Sequence, residues 1–172
     1  LAVTDVPALF EVFGDPEVTR YWSFSAYERI EQAADLFGRI EQHFAEKTLF
    51  QWGIAETASG RVIGTTTLYQ VDLRHRRGEI GFALRRDRWG QGLAGEAVAR
   101  LIDFAFDELA LHRLEADADP RNSASLALLE RAGFRREGLL RERYHVNGEI
   151  QDAAVLGLLR AERPERSKLP RS

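Results

Sequence analysis

The stretch EIGFALRRDRWGQGLAG, residues 79–95, decides how the rest of the chain is arranged. Residues 79–84 have the β-propensity of a strand. The turn at residues 89–92 contains two glycines, and behind it an apolar residue recurs every three or four positions, as on one face of a helix. Apolar residues alternate again over residues 114–118, which predicts a further strand. A strand, a helix and a strand in this order predict one parallel βαβ unit.

The flanking patterns predict helices at the N-terminus and β-hairpins on both sides of this unit. Thr4 is a candidate cap for a short first helix, and Ser25 with Glu28 forms a candidate capping box for a longer one that ends near Lys47. Strands at 50–56 and 61–69 flank a Ser-Gly turn, and strands at 134–146 and 149–158 flank an Asn-Gly turn, the strongest short hairpin signal.

One more helix is predicted between the last two of these regions. It begins at Asn122 or Ser123 and runs through Arg131, and Gly133 stands where a left-handed residue closes a helix. The order of elements predicts an α+β (mixed α/β) fold. Its sheet is largely antiparallel, with helices on both faces and one parallel βαβ unit.

Length and composition predict a single domain over residues 1–160. A chain of 172 residues with 44% hydrophobic and 30% charged residues has enough apolar material for one core. The segment 161–172 is polar and contains prolines, so we expect a flexible tail.

Several classes of protein are disfavoured by the composition. Cysteine is absent and the four histidines lack ligand spacing, so we predict neither disulfides nor a metal site. The net charge of −3 disfavours nucleic acid as a partner. With no apolar run near ~18 residues and no signal-peptide pattern, we expect no membrane association and a cytoplasmic location.

The glycine turn is a candidate phosphate cradle. Unpaired N–H groups at a helix start attract anions, and glycine allows them a close approach. The turn matches neither a P-loop nor a dinucleotide-binding fingerprint. Taken by itself, a glycine-rich connector explains it equally well.

Taken together, the motifs resemble the GNAT superfamily of N-acetyltransferases, in particular its RimJ/RimL-type branch. Four stretches carry the likeness: Glu79–Phe82, Trp89–Ala97, Asn122–Ser125, and Glu130–Phe134 with Glu137-Gly138. They occur in order over nearly the whole chain. The resemblance implies a further strand that would precede Leu1, and the proline that often precedes the family's turn is replaced near Arg86.

The resemblance also implies acetyl-CoA as co-substrate, without a metal. It assigns the pantetheine arm to the strand backbone, the pyrophosphate to the glycine turn, and a further hydrogen bond to an asparagine. The implied cofactor-binding residues are Phe82, Ala83, Leu84, Trp89, Gly90, Gln91, Gly92, Leu93, Ala94, Gly95, Asn122 and Ser125.

Acetyl transfer to an amine requires a proton acceptor and a proton donor. Glu79 is the candidate base, or else a strand-end carboxylate paired with an arginine. Ser125 is a candidate acid, or else a helix-start hydroxyl. Tyr144 is the second candidate acid, or else a hairpin packing residue.

Three residues are candidates for binding the acceptor. Trp22 and Phe24 belong to a loop that walls the acceptor cleft in similar proteins, although clustered aromatic residues are more often core. Asp152 could bind a cationic amine, although a role as a cap or an arginine partner is the more common one for such a residue.

The predicted function is direct acetyl transfer from acetyl-CoA to a primary amine, with the N-terminal α-amino group of a protein or peptide as acceptor. A small amine, amino acid or antibiotic is the alternative acceptor. A non-catalytic acyl-CoA-binding module and a nucleotide-binding α/β domain are the alternatives of other classes. The protein is expected to be a monomer or a homodimer.

Overall fold

The computed structural model describes residues 1–164, in which six strands form one sheet. The helices are α1 (Val6–Phe13), α2 (Pro16–Thr19), α3 (Ile30–Glu46), α4 (Leu93–Asp103) and α5 (Ser123–Arg131). The strands are β1 (Phe50–Ala55), β2 (Val62–Asp72), β3 (Arg77–Leu84), β4 (Arg113–Ala118), β5 (Arg135–Val146) and β6 (Glu149–Leu159). A π-helical turn, Phe104–Glu108, extends α4.

The strands lie in the order β1-β2-β3-β4-β6-β5. Every neighbouring pair is antiparallel except β3 and β4, which are parallel and are joined through α4. The predicted fold class, with its single parallel βαβ unit and its two hairpins, is therefore confirmed.

Helices cover both faces of the sheet. Successive side chains of a strand point to opposite faces, so Ile80 and Ala83 of β3 lie on different sides. Ile80 belongs to the larger core, which includes residues of α4 and α5, whereas Ala83 packs in a second core with residues of α1, α2 and α3. These two cores confirm the prediction that helices cover both faces of the sheet.

The parallel pairing between β3 and β4 is short. It comprises Arg77 with Arg113, Gly78 with Leu114, and Glu79 with Glu115. Beyond Glu79, β3 continues beside β2 as far as Leu84, and β4 continues beside β6 as far as Ala118. The sheet therefore opens into a wedge, defined here as the gap between residues 80–84 of β3 and residues 116–118 of β4.

The predicted end of α5 is confirmed, whereas the predicted start of α3 is wrong. The close of α5 has the predicted form, because Gly133 has a φ of 100° and the N–H of Phe134 donates to the carbonyl of Leu129. The predicted Ser25–Glu28 capping box is wrong: the side-chain Oε1 of Gln32 accepts the N–H groups at the start of α3. Ser25 instead donates to the Asn147 side chain in the β5–β6 turn, at 2.5 Å.

The last residues that the structure describes are held against the body of the fold. Residues Arg160–Glu162 form a 3-10 turn, and Arg163 forms ion pairs with Asp103 and Asp107. The remainder of the segment expected to be a flexible tail, residues 165–172, lies outside the described residues. Within residues 1–164, no helix has the length and apolar character to cross a membrane.

Candidate active site

The wedge presents backbone groups of β3 to an open space. In an antiparallel ladder, residues alternate between bonding their neighbour strand and facing away from it. The N–H of Arg85 donates to Ile63 across the β2–β3 register, so Phe82 and Leu84 direct their backbone groups away from β2. The side chain of Leu84 is buried, so this residue offers mainly its backbone, whereas the backbone groups of Ala83 face Thr65 of β2.

The opposite side of the wedge is formed by β4. The N–H of Arg160 donates to His112 across the β4–β6 register, and the same alternation turns the backbone groups of Asp117 toward the wedge. An extended chain lying in the wedge would therefore meet strand backbone on both sides.

The glycine turn lies where β3 leads into α4. Gly90 and Gly92 have positive φ angles of 74° and 79°, and Gly92 is the N-cap of α4. A Cβ atom added at Gly90, Gly92 or Gly95 would meet nothing within 4 Å. Because the first N–H groups of a helix have no partner within the helix, this turn has both the donors and the space for a phosphate group.

Trp89 has a structural role within this turn. Its indole Nε1 donates to the carbonyl of Leu84 at 2.7 Å, which fixes the end of β3 against the turn, while Gln91 donates through Nε2 to the carbonyl of Asp87 at 3.2 Å. Leu93 and Ala94, also predicted to bind cofactor, form the first turn of α4.

Asn122 and Ser125 lie together at the start of α5, just beyond the end of β4. Asn122 is the N-cap, and its Oδ1 accepts the backbone N–H of Ser125 at 3.1 Å. This contact is a helix cap, and it leaves the Nδ2 group of Asn122 and the hydroxyl of Ser125 as the groups for a ligand. Their roles in cofactor binding and proton donation stay predictions.

Glu79 occupies the vertex of the wedge. Its Oε1 accepts a 2.5 Å hydrogen bond from the hydroxyl of Tyr69, the residue directly opposite on β2. Burial raises the pKa of Glu79 above its ordinary value, and the charges of Asp117 and Glu115 add to this rise, although the Tyr69 hydrogen bond opposes it. A carboxyl with a raised pKa in an open site is a candidate proton acceptor.

Tyr144 belongs to the same cluster. Its hydroxyl donates to Oδ2 of Asp117 at 2.5 Å. Burial and the hydrogen bond to Asp117 raise the pKa of Tyr144 to about 12. The structure thus brings Glu79 and Tyr144 into one group with Tyr69 and Asp117, whereas Ser125 lies in the separate group at the start of α5.

The three predicted acceptor-binding residues have partners within the fold. Trp22 and Phe24 pack with Phe13, at ring-centroid distances of 5.5 and 6.0 Å. Asp152 accepts the backbone N–H of Glu142 at 2.8 Å. Their acceptor roles are untested by these contacts. The aromatic loop is nevertheless tied to the far side of the site, because Ser25 reaches the β5–β6 turn and Tyr21 lies 5.7 Å from the Arg121 guanidinium.

Sequence reasoning missed Tyr69 and Asp117. Asp117 stands on β4 among the buried residues Leu114 and Ala116, and its odd position places it on the same face as Glu115 and Glu79. A charged residue alternating with buried ones was a usable signal for Asp117. Tyr69 carried none, because only the β2–β3 register sets it opposite Glu79.

The chain resembles proteins of known family. Residues 1–135 match the family model described as Acetyltransferase (GNAT) domain. The uncharacterized N-acetyltransferase p20 of Bacillus licheniformis is 35% identical over 162 residues, which cover 94% of this chain and 91% of that protein. A spermidine N(1)-acetyltransferase of Vibrio cholerae is 25% identical over 95% of this chain and 92% of its own length.

The fold is shared with solved structures. RimJ of Mycobacterium smegmatis in complex with CoA-disulfide superposes with a TM-score of 0.87 at 22% identity, and the match covers 98% of this chain and 83% of that one. At this level of identity the likeness concerns the fold.

Proposed function

Since the chain belongs to the GNAT family of acetyltransferases, and is an N-acetyltransferase with acetyl-CoA as co-substrate, we propose that it transfers the acetyl group directly to a primary amine bound beside the wedge. The observation that carries this proposal is the early end of the β3–β4 pairing at Glu79, with the glycine turn where β3 leads into α4.

The residues at this place fit the co-substrate. The glycine turn combines open space with the N–H donors of α4, which suits a pyrophosphate. The wedge offers the backbone of Phe82 and the N–H of Leu84 to an extended amide-containing arm, as an exposed sheet edge does to a peptide. We assign Gly90 to Gly95 to the phosphates, and residues 82–84 with Asn122 to the arm.

Acetyl-CoA supplies the acetyl group as a thioester when it is bound. The chain must then neutralise the acceptor, because a primary amine is mostly protonated at neutral pH. Glu79 takes this proton on the carboxylate oxygen that Tyr69 leaves free, and passes it to solvent. Its raised pKa brings it closer to the pKa range of an effective base.

A proton donor is needed at the departing sulfur. As the C–S bond breaks, the Tyr144 hydroxyl turns from Asp117 and gives its proton to the departing sulfur. It regains a proton from the amine nitrogen as the new C–N bond becomes an amide. With the proton taken by Glu79, one proton is released for each acetyl group transferred, so the reaction balances. Ser125 is the alternative donor, placed at the start of α5.

We propose the α-amino group of a protein or peptide as the acceptor. The support is the exposure of β5, the edge strand that lies beyond β6 from the wedge: its side chains are exposed or half-buried, so an extended segment has access from that side. Trp22, Phe24 and Asp152 would line this approach.

A small polyamine is the second candidate acceptor. Two carboxylates, Glu79 and Asp117, stand on one face beside the wedge and favour a cation, whereas the neighbouring Glu115 is paired with arginines. A spermidine acetyltransferase is among the relatives.

The test is an acceptor panel assayed by thiol release and mass spectrometry. We expect amine-dependent release of CoA with a peptide that has a free N-terminus, and none with the same peptide blocked at its N-terminus. Preference for spermidine over every peptide would favour a small polyamine as the acceptor instead. Binding of acetyl-CoA without transfer to any amine would favour a non-catalytic acyl-CoA-binding module instead.

A further inference from the structure

Two tyrosine–carboxylate pairs lie on the same face of the sheet beside the wedge. Tyr69 and Glu79 are directly paired residues of neighbouring strands, so the β2–β3 register alone brings them together. Tyr144 and Asp117 belong to strands that are not neighbours, because β6 lies between β5 and β4. The second pair therefore needs an explanation that strand pairing does not supply.

The Tyr144 side chain crosses β6 to reach its partner. Tyr144 is paired with Gln151 of β6, whereas Asp117 is paired with Val155, four residues further along the same strand. Ala153 lies between these two positions on the same face, and its small side chain leaves room for a ring above it. The phenol is thus directed from the edge of the sheet toward the wedge.

The strand β5 is irregular just before Tyr144. The β5–β6 register shifts between Leu140 and Tyr144, and Glu142 has a φ of 54°. Asp152 holds this irregular segment by accepting the N–H of Glu142. Such bulges re-aim the side chains that follow them, and here the first paired residue after the shift is Tyr144.

We propose that Asp117 is a positioning residue for acetyl transfer, which holds the Tyr144 oxygen at the wedge, where the hydroxyl then turns its proton from Asp117 to the departing sulfur. The inference rests on the proposed function. Without this hydrogen bond the phenol keeps Arg143 of its own edge strand as a neighbour and loses its contact with β4.

The charged and titratable groups around Tyr144 come from four strands. Asp117 faces it from β4 and Arg143 from its own strand, while Tyr69 of β2 and Glu79 of β3 belong to the same cluster. Burial and Asp117 raise the pKa of Tyr144, and Arg143 opposes the rise.

The experiment is a double-mutant cycle on the full chain with acetyl-CoA and a primary amine. We expect Tyr144→Phe to lower kcat ~100-fold and Asp117→Ala to lower it ~10-fold, both with the KM for acetyl-CoA unchanged. The double variant should be no slower than Tyr144→Phe alone, because Asp117 acts only through that hydroxyl. Asp117→Ala should also shift the alkaline fall in rate to a lower pH than in the wild type, because it removes the carboxylate that, together with burial, raises the pKa of Tyr144.

Glu137→Gln is the control. It removes a carboxylate that lies on the same strand as Tyr144 and pairs with Arg113, without touching the Tyr144 hydrogen bond. We expect its kcat to stay within about threefold of the wild type. If Asp117→Ala does not fold, Asp117→Ser gives the same comparison.

Two kinds of result would overturn the inference. Wild-type rates in Asp117→Ala or in Tyr144→Phe would remove the role of the pair while leaving the acetyltransferase intact, and so would losses that multiply in the double variant. A wild-type protein that transfers no acetyl group to any amine would overturn the proposed function, and this inference with it.

Discussion

The Tyr69 hydroxyl donates to Oε1 of Glu79 across a directly paired position of β2 and β3, at the residue where the parallel pairing of β3 with β4 ends. The hydrogen bond fixes one oxygen of the carboxylate and leaves the other toward the wedge. Glu79 thus lies where the proposed cofactor site opens, and it is also the proposed base.

Replacing Glu79 by Gln should separate binding from chemistry. The amide keeps an acceptor for Tyr69 but cannot take a proton, so we expect kcat to fall ~100-fold or more while the Kd for acetyl-CoA is unchanged. Steady-state kinetics and thermal melts with the co-substrate measure the two quantities. A variant with wild-type turnover would show that another group accepts the proton.

The raised pKa of Glu79 also predicts a pH dependence of stability. Its carboxyl binds a proton more tightly in the folded chain than in the unfolded one, so its contribution to the free energy of unfolding is highest at low pH. That contribution declines as the pH rises from the ordinary value of 4.5 through the raised folded value. Relative to the wild type, Glu79→Gln should therefore gain Tm as the pH increases over this interval. A constant difference in Tm would contradict the shift.

The glycine turn can be blocked without damage to the fold. A side chain at Gly95 has open space, and the Cα–Cβ bond of a helical residue leans toward the N-terminus, here toward the proposed phosphate site. We expect Gly95→Val to raise the Kd for acetyl-CoA about tenfold or more, equivalent to one charge-assisted hydrogen bond. Titration calorimetry measures this change.

Gly38 provides the control for that variant. It lies within α3, and a Cβ there also meets nothing within 4 Å. Gly38→Val should leave acetyl-CoA binding unchanged, and both variants should stay within about 0.5 kcal/mol of wild-type stability. Equal Kd values for the two variants would show that the phosphates do not lie at this turn.

Arg163 should contribute to stability and not to activity. It joins the C-terminal turn to Asp103 at the end of α4 and to Asp107 in the π-helical turn, and its side chain is only 20% exposed. Arg163→Ala should lower the free energy of unfolding by about 1 kcal/mol, measured by urea denaturation, with kcat unchanged. Arg136→Ala, which breaks the more exposed pair with Glu130, should lower the free energy of unfolding by less. A larger loss in Arg136→Ala than in Arg163→Ala would contradict a stabilising contact between the C-terminal turn and α4.

The sequence contained the signals for most of the fold. The Asn147-Gly148 turn, the helix close at Gly133 and the strand–turn–helix pattern of residues 79–95 depend on local conformational preferences, which neighbouring residues set. The GNAT resemblance rested on those same motifs and is confirmed by the family match.

The two tyrosine–carboxylate pairs of the site could not be predicted from local sequence patterns. Tyr69–Glu79 depends on the register between two strands, and Tyr144–Asp117 depends on strand order, a shifted register and a small residue in between. At the start of α3, too, a contact with a residue distant in sequence decides the local structure. Ser25 has the chemistry of a cap, but the distant Asn147 engages it and Gln32 serves α3 instead.

The most direct measurement is CoA release from acetyl-CoA by the wild type and by Glu79→Gln, with a free-amine peptide, with the N-terminally blocked peptide and without acceptor. We expect release only with the free amine, acetylated peptide as the product, and loss of both in Glu79→Gln while the protection by acetyl-CoA in thermal melts persists. Release that does not depend on an amine, or an unimpaired Glu79→Gln enzyme, would contradict amine acetylation at the wedge with Glu79 as its base.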